Sequence, residues 1–374
     1  MTFYLEFTNS SIGRLSETQI DSFSFACSIF KLYSIAQVVI KDFAKEINNQ
    51  IKSGMPVDVV FTDNDTKYYT SKMAVLSFKK VPSPQTNFVD YTEVTLVPAM
   101  YFDGKMSSSA HKGTVHDILE EILSKQFHDS VVDRNIIQTE DLIRRRYQLG
   151  ERPQEFMERI TKYGVKGKMP VYMYFDSKGT LNLGSIADMV SSQPKYTANS
   201  ILADQLYQIP GDGETLNKLN FYNFQMSNLG KGACSKIESI FTIEGFRTTT
   251  DIVDTLTYTS PEYNNSQAQK TSPPKTKYYD WNLAPTDAFA IAAREAFEET
   301  AYTYSLSASF AGFAIDELPL GSVIYIILPY EPTALGNNGS KINLGEGLYM
   351  VTQLKFTFES NMMSTSATMI QVAS

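Results

Sequence analysis

Residues 348–358 alternate in a way that leaves one local structure open to them. Leu348, Met350, Leu354, Phe356 and Phe358 fall on one side, and Gln353, Lys355 and Thr357 on the other. That period-two pattern belongs to a strand with one face buried, as in an antiparallel sheet with one solvated side. The stretch has a counterpart near the start of the chain. There Gly54 leads into strand-like residues 57–61, a polar turn, residues 68–78, a polar break and residues 93–97, ending in Pro98-Ala99. Near the end Gly321 leads into 323–327, a longer Gly/Asn loop (336–345), 348–358, a break at 360–364 and 368–372, ending in Ala373. One strand order used twice is an internal repeat. It predicts two similar antiparallel barrels.

The other segments fill in the plan. Residues 23–31, 56–62, 68–78 and 91–99 are rich in Val, Ile, Phe, Tyr and Thr, with turn clusters between them, so they read as strands. Between them Phe43, Ile47 and Ile51 recur every four residues, which predicts a short amphipathic helix over 42–52, closed by Gly54. From Met106 the character changes. Ser107-Ser108-Ser109 reads as a linker, and Thr114 with Asp117 three residues on can cap a helix whose Val115, Ile118, Leu119, Ile122 and Leu123 form one stripe. Pro153 starts a second helix that buries Phe156 and Ile160 and ends at Gly164. A hairpin follows, with Asp176-Ser177-Lys178-Gly179 as its turn. Strands return at 218–226 and 236–246, and the polar, proline-broken residues 257–283 read as a long surface loop. A helix capped near Thr286 then presents Phe289, Ala292, Ala293, Ala296, Phe297 and Thr300 on one face. The predicted class is α+β, mainly β, with two antiparallel β-barrel domains. Residues 1–105 form the first and 201–256 with 303–374 the second. A mixed α/β segment (106–200) and a loop-and-helix insertion (257–302) complete the chain.

Composition narrows the function classes. The net charge is −8, whereas a nucleic-acid binder carries a basic patch or stripe. The dense basic cluster Arg144-Arg145-Arg146 sits in an expected strand, where residues 144 and 146 share one face and partners or solvent satisfy them. No sequence-specific nucleic-acid binding is therefore expected. Two cysteines in 374 residues, Cys27 and Cys234, do not make a disulfide scaffold and read as buried free thiols. The first residues lack the pattern of a signal peptide, and the longest aliphatic run, 323–328, is too short to span a bilayer. A soluble protein made in the cytoplasm, without membrane insertion, is the expectation.

Catalytic constellations are scarce. His111 and His116 flank a helix start instead of sharing a helical face, no cysteine lies near them, and only His128 follows. They read as surface or capping residues, not zinc ligands. Gly211-Asp-Gly213 and Gly230-Lys-Gly232 lack the strand-to-helix setting of a phosphate loop, and no Gly-x-Ser-x-Gly elbow is present. The neighbours Glu120-Glu121 and Glu298-Glu299 point to different helix faces. No catalytic residue, cofactor or metal is expected.

Three passages together resemble the baseplate hub proteins of contractile-tailed phages, whose fold is shared by the hub portion of VgrG and late-control proteins. The first is the barrel-like start running into the Gly113-Thr114-led helix. The second is Arg145 to Ile160 with the aromatic strand and Asp-x-x-Gly turn at 172–179. The third is the closing helix with the strands from Leu318 to Val372. The resemblance implies a homotrimer in which two tube-like domains per chain make a pseudo-sixfold ring. That ring joins a tail tube protein to a central spike protein and meets other baseplate proteins and a tape measure protein. It implies a place in the virion tail, assembled in the host cytoplasm. VgrG-type proteins continue into a repetitive spike, and this chain stops at Ser374, so the spike would be a separate polypeptide. Phe43, Ile47, Ile51, Phe289, Ala293, Ala296 and Phe297 are the candidate subunit-interface residues, with packing inside the chain as the competing role. Two other functions stay open: a tail-delivered cell-wall hydrolase, and a tail-tip adaptor that binds a receptor or carbohydrate.

Overall fold

The computed structural model describes residues 2–8, 10–42, 47–63, 67–81, 90–127, 133–191, 285–300, 304–316, 318–327 and 347–372. It also describes the strand backbones at 196–199, 214–215, 219–226, 236–241, 247–252, 276–279, 333–335 and 341–343. The first repeat contains β1 (Thr2–Phe7), β2 (Gly13–Ser16), β3 (Ile20–Ser28) and β4 (Ile35–Asp42). A one-turn helix α1 (Ile47–Gln50) precedes β5 (Pro56–Asp63), β6 (Lys67–Val81) and β7 (Asp90–Pro98). Neighbours run β3-β4-β7-β6-β5-β1-β2, all antiparallel. Alternation sets the faces: Phe3, Leu5 and Phe7 of β1 are buried while Thr2 and Glu6 are exposed. Of the helix expected over 42–52 the described residues show one turn, α1, while Asp42 lies in the β4–β7 ladder opposite Asp90 and residues 43–46 lie outside the described residues.

The mixed segment comprises β8 (Ser107–Gly113), α2 (Val115–Gln126), β9 (Arg134–Ile136), β10 (Arg144–Glu151) and α3 (Pro153–Thr161). It continues with β11 (Val165–Lys166), β12 (Met169–Phe175), β13 (Leu181–Ser185) and α4 (Ile186–Ser191). The expected serine linker is the start of β8, where Ser109 pairs with Gln148 of β10. Serines serve there because their hydroxyls bond locally, as Gly150 N donates to Ser108 Oγ at 3.1 Å. The capping box of α2 forms as its spacing requires: Thr114 N donates to Asp117 Oδ2 (3.0 Å) and Asp117 N to Thr114 Oγ1 (3.2 Å). All five residues of the α2 stripe, with Phe156 and Ile160 of α3, are buried against Val171, Met173 and Phe175 of β12 and Leu181 and Leu183 of β13.

The second repeat contains β14 (Tyr196–Asn199), β15 (Glu214–Thr215), β16 (Leu219–Met226), β17 (Lys236–Phe241), β18 (Arg247–Ile252) and β19 (Thr276–Tyr279). After α5 (Pro285–Thr300) come β20 (Tyr304–Ala311), β21 (Val323–Ile327), β22 (Thr333–Leu335), β23 (Lys341–Asn343), β24 (Gly347–Glu359) and β25 (Met362–Gln371). Part of the expected surface loop at 257–283 is β19, paired parallel to β17; the rest of that stretch lies outside the described residues.

Superposing pairing partners makes the repeat residue-specific. Gly54 N donates to Val75 O (2.8 Å) and Val75 N to Met55 O (2.9 Å); Gly321 N donates to Val351 O (2.8 Å) and Val351 N to Ser322 O (2.9 Å). Both glycines have positive φ, +79° and +76°, which glycine adopts without penalty. A bulge follows each valine, between Val75 and Ser77 against β7 and between Val351 and Gln353 against β25. The match reaches the flanking strands. Ala36 lies opposite Leu96 and Phe25, as Leu306 lies opposite Met369 and Phe224. Even the bulge at Ile20/Ser22 recurs at Leu219/Phe221. So β3, β4, β5, β6 and β7 correspond to β16, β20, β21, β24 and β25. The alignment read from sequence is corrected by one residue in the glycine-led strand: Pro56, not Val57, matches Val323. The last strand also shifts, with Val97 matching Ile370.

The two curled repeats share one sheet. β24 pairs antiparallel with β3 from Gln353 opposite Ser28 to Glu359 opposite Ser22. One aromatic core underlies the junction: Phe61 lies 6.5 Å or less from the rings of Phe3, Phe23, Phe25, Phe313 and Phe356. Cys27, in the same ladder, is a buried free thiol whose pKa burial pushes well above its usual value. Cys234 lies outside the described residues.

Candidate functional site

The candidate interface residues fall in different surroundings. Ile51 is fully covered by the core, and Ile47 is half-buried beside it. Ala293 and Phe297 of α5 are buried and Phe289 is half-buried. Phe43 and the side chain of Ala296 lie outside the described residues. Phe297 packs 6.2 Å from both Phe30 and Tyr172, so α5 bridges β12 and the turn after β3.

Ion pairs and hydrogen bonds tie the mixed segment to both repeats. Arg146, expected to need a partner, grips Asp287 in the first turn of α5 with two bonds (Nη1–Oδ2 3.0 Å, Nη2–Oδ1 2.9 Å) and lies 4.1 Å over the Tyr163 ring. Arg144 approaches the same carboxylate at 3.8 Å. A planar two-point clamp on a largely buried carboxylate fixes helix orientation as well as charge. Arg294, farther along α5, donates to the carbonyls of Thr161 and Val171 and lies 4.1 Å over Tyr172. A second tie forms around Asp316, which accepts from Lys178 Nζ at 2.7 Å and from the Tyr69 hydroxyl. The Asp176–Gly179 turn is thereby seated against β6. A Cβ on Gly179 would meet Ser71 Cα at 2.8 Å, so glycine is required for this approach. The turn itself was legible from Asp-x-x-Gly. Its partner Asp316 was not, since no local spacing links the two.

The carboxylates of Asp176 and Asp141 have structural tasks. Desolvation raises the pKa of Asp176, which accepts from Lys178 N and Thr180 N (both 2.9 Å) and holds the turn. Desolvation likewise raises that of Asp141, which accepts from Val115 N at 2.9 Å and fills an open donor at the start of α2. The half-buried His116 ring bonds Ile137 O at 3.0 Å and lies 2.7 Å from Gln138 Nε2, which ties the first turn of α2 to the segment after β9 and does not cap the helix. The surface-or-capping expectation for His111 is corrected: it is 6 % exposed, on the inward face of β8. Ser109 Oγ lies 2.7 Å from His111 Nε2, and Nδ1 lies 3.2 Å from Glu121 Oε2. That order resembles a nucleophile, base and orienting acid. However, the Ser109 hydroxyl also bonds Gln148 (3.2 Å), Lys125 holds Glu121 (2.7 Å), and the His111 ring packs 5.3 Å from Phe156. Three grooves, around Arg294 and Tyr172, around Lys178 and Asp316, and around Cys27 and Lys355, do not include the trio. It pins β8, β10 and α2 together. Among the described residues no three His, Cys, Asp or Glu side chains gather as a metal site.

No protein-family model and no curated protein matches the sequence. Solved structures do. A tail protein from Neisseria meningitidis MC58 aligns with a TM-score of 0.61 at 10 % identity, over 99 % of this chain and 96 % of that one. The 43 kDa tail protein of prophage MuSo2 from Shewanella oneidensis also aligns at 0.61 and 10 % identity, over 99 % and 98 %. The E. coli c3393 protein, a component of the type VI secretion system, aligns at 0.52 and 11 % identity, over 94 % of this chain and 73 % of that one. The fold is that of phage tail proteins and their secretion-system counterparts. The resemblance read from the sequence therefore holds at the level of fold.

Proposed function

We propose that this chain is a structural baseplate hub of a phage tail or phage-like contractile injection system. Three copies form a ring around a channel, joining the tail tube to the central spike. The observation that carries the reading is the residue-specific repeat: five strands, two bulges and one glycine hydrogen bond recur in a single continuous sheet. Two equivalent units per chain give six in a homotrimer, the count needed to match a sixfold tube to a threefold spike. Residues 1–105 and 201–256 with 303–374 would be the two tube-like domains, and 106–200 the part that distinguishes a hub from a plain tube subunit. The half-buried Ile47 and Phe289 are offered as contacts with neighbouring components, because Ile51, Ala293 and Phe297 are already covered within the chain. The partners are a tube protein, a spike protein, other baseplate proteins and a tape measure protein, and the location is the virion tail. Such a scaffold has no catalytic task. Mass measurement in solution and of purified tails tests this reading. A ring-shaped trimer is expected; a chain that stays monomeric and never joins tube or spike components refutes it.

A further inference from the structure

A groove of about 620 Å³ is lined by β9, β12, β13, α4 and residues 319–323. Pairing register puts three polar side chains in one row across it: Tyr174 of β12 lies opposite Asn182 of β13, and Asn182 opposite Asn135 of β9. Register partners share a sheet face, about 4.8 Å apart from strand to strand. The other face of β12 and β13 is apolar, with Met173, Phe175, Leu181 and Leu183 in the core under α2 and α3. Each member of the row keeps an unused hydrogen-bonding atom. Tyr174 is 5 % exposed, yet among the described residues its hydroxyl has no partner. A Cβ on Gly184, which also lines the groove, would stand 3.4 Å from that hydroxyl, so glycine keeps the approach open. Burial raises the phenol's pKa, and the group stays a neutral donor. Asn182 gives both protons of its amide nitrogen away, to Asp176 Oδ2 (3.1 Å) and Thr180 O (3.0 Å). Both partners are acceptors, which settles the orientation of the amide and leaves Oδ1 to accept. Asn135 is exposed and, among the described residues, its amide is unbonded.

The charges beside the row are already paired. Lys178 is held by Asp316 and Asp188 by Lys166, each at 2.7 Å. Among the described residues of the groove, a phosphate or carboxylate ligand would find no free cation to offset its desolvation. What remains is a neutral line of donors and acceptors beside an apolar end. There Met189 is wedged between two glycines, since a Cβ would meet it at 2.3 Å from Gly184 and at 2.9 Å from Gly321, and Leu320 also lines the wall. A few placed polar groups on an apolar wall are the make-up of a small-molecule site. We infer that this groove binds a neutral saccharide. One sugar hydroxyl donates to Asn182 Oδ1, and others exchange donor and acceptor roles with Tyr174 and Asn135. The C–H face of the ring lies on Met189 and Leu320. A row that crosses the strands suits a compact polyol, whereas an extended peptide needs its partners along one strand edge. The site goes beyond the hub reading and does not depend on it.

Titration of the full chain with two uncharged probes, the trisaccharide of N-acetylglucosamine and maltotriose, tests the site, with binding followed by NMR of the sugar. The pair separates an acetamido sugar from a plain hexose polymer. At least one is expected to bind wild type at millimolar concentration or below. Tyr174→Phe and Asn135→Ala should each weaken that binding roughly 2- to 10-fold, the loss of one hydrogen bond. Tyr174→Phe removes only a hydroxyl that has no partner among the described residues, and Asn135 is exposed, so both variants are expected to fold. Binding of neither sugar overturns the assignment, as does an affinity that both variants leave unchanged. Tetraglycine bound in place of any sugar overturns it as well. Ring formation is read from mass alone, so a failed titration leaves the hub reading standing.

Discussion

Gly54 and Gly321 make the same hydrogen bond in the two repeats, but their surroundings differ. A Cβ on Gly54 would meet only Phe102 at 4.0 Å, whereas one on Gly321 would meet Met189 Sδ at 2.9 Å. A side chain in this left-handed conformation costs about 1–2 kcal/mol, so both alanine variants should lower the urea midpoint. Gly321→Ala should lower it more, and Met189→Ala should remove the excess; equal losses at the two glycines would discount the Met189 collision. A second residue-scale expectation concerns acid. Hydrogen bonds from Thr114 N and with its hydroxyl hold the Asp117 carboxyl below its usual value of 3.8. A folded pKa below the unfolded one contributes stability that is present above the unfolded value and lost as pH falls through the folded one. Wild type should therefore exceed Asp117→Asn in stability at neutral pH, and the gap should close below about pH 4. A gap unchanged down to pH 2.5 would remove the carboxylate from the cap. The Thr114–Asp117 box was readable because both partners lie within one helical turn. The His111 environment was not, because β8 is built of serines and carries almost no apolar pattern.

At the scale of elements, the turn between β24 and β25 shows how a loop sets register. Ser360 and Asn361 both have positive φ, +52° and +62°, the conformation of a two-residue hairpin turn that matches strand twist. Asparagine tolerates it and glycine favours it, so Asn361→Gly should raise the thermal midpoint. Asn361→Val should lower stability by about 1–2 kcal/mol, and a neutral valine variant would show that the turn does not hold the hairpin. Strands with strong local signals were legible, β24 from the alternation in residues 348–358 and β5 from its β-branched run, whereas β4 (Ile35–Asp42) was not read as a strand. The repeat was legible as an order of strands but not in register. β5 begins at Pro56, as the strand reading of 56–62 has it, since proline is tolerated at a strand's first position, but the repeat was aligned from Val57. The bulges after Val75 and Val351 shift the pairing without marking the sequence. The helical period of Phe43, Ile47 and Ile51 overstated the two ends of that helix, because Asp42 belongs to β4 and Ile51 follows the last residue of α1.

For the whole molecule, the decisive contact is the one between chain ends. Pairing of β3 with β24 leaves no trace within either strand, since each reads as an ordinary amphipathic strand. The sequence therefore predicted two barrels without predicting their shared sheet. The consequence is energetic. Phe25 of β3 lies opposite Phe356 of β24, and Phe61 of β5 packs on Phe313 and Phe356 from the second repeat. A fragment of residues 1–105 would expose Phe23, Phe25 and Phe61 together with the whole outer edge of β3. Uncovering buried aromatic side chains loses roughly 1.5–3 kcal/mol each, against a total stability of only about 5–15 kcal/mol for a native protein. The fragment is therefore expected to lack a cooperative thermal transition and to aggregate through its open edge, whereas the full chain unfolds with both repeats together in hydrogen exchange. Slow exchange in β3 amides of the fragment, or separate protection of β3 and β24 in the full chain, would show that the repeats are self-sufficient barrels laid side by side.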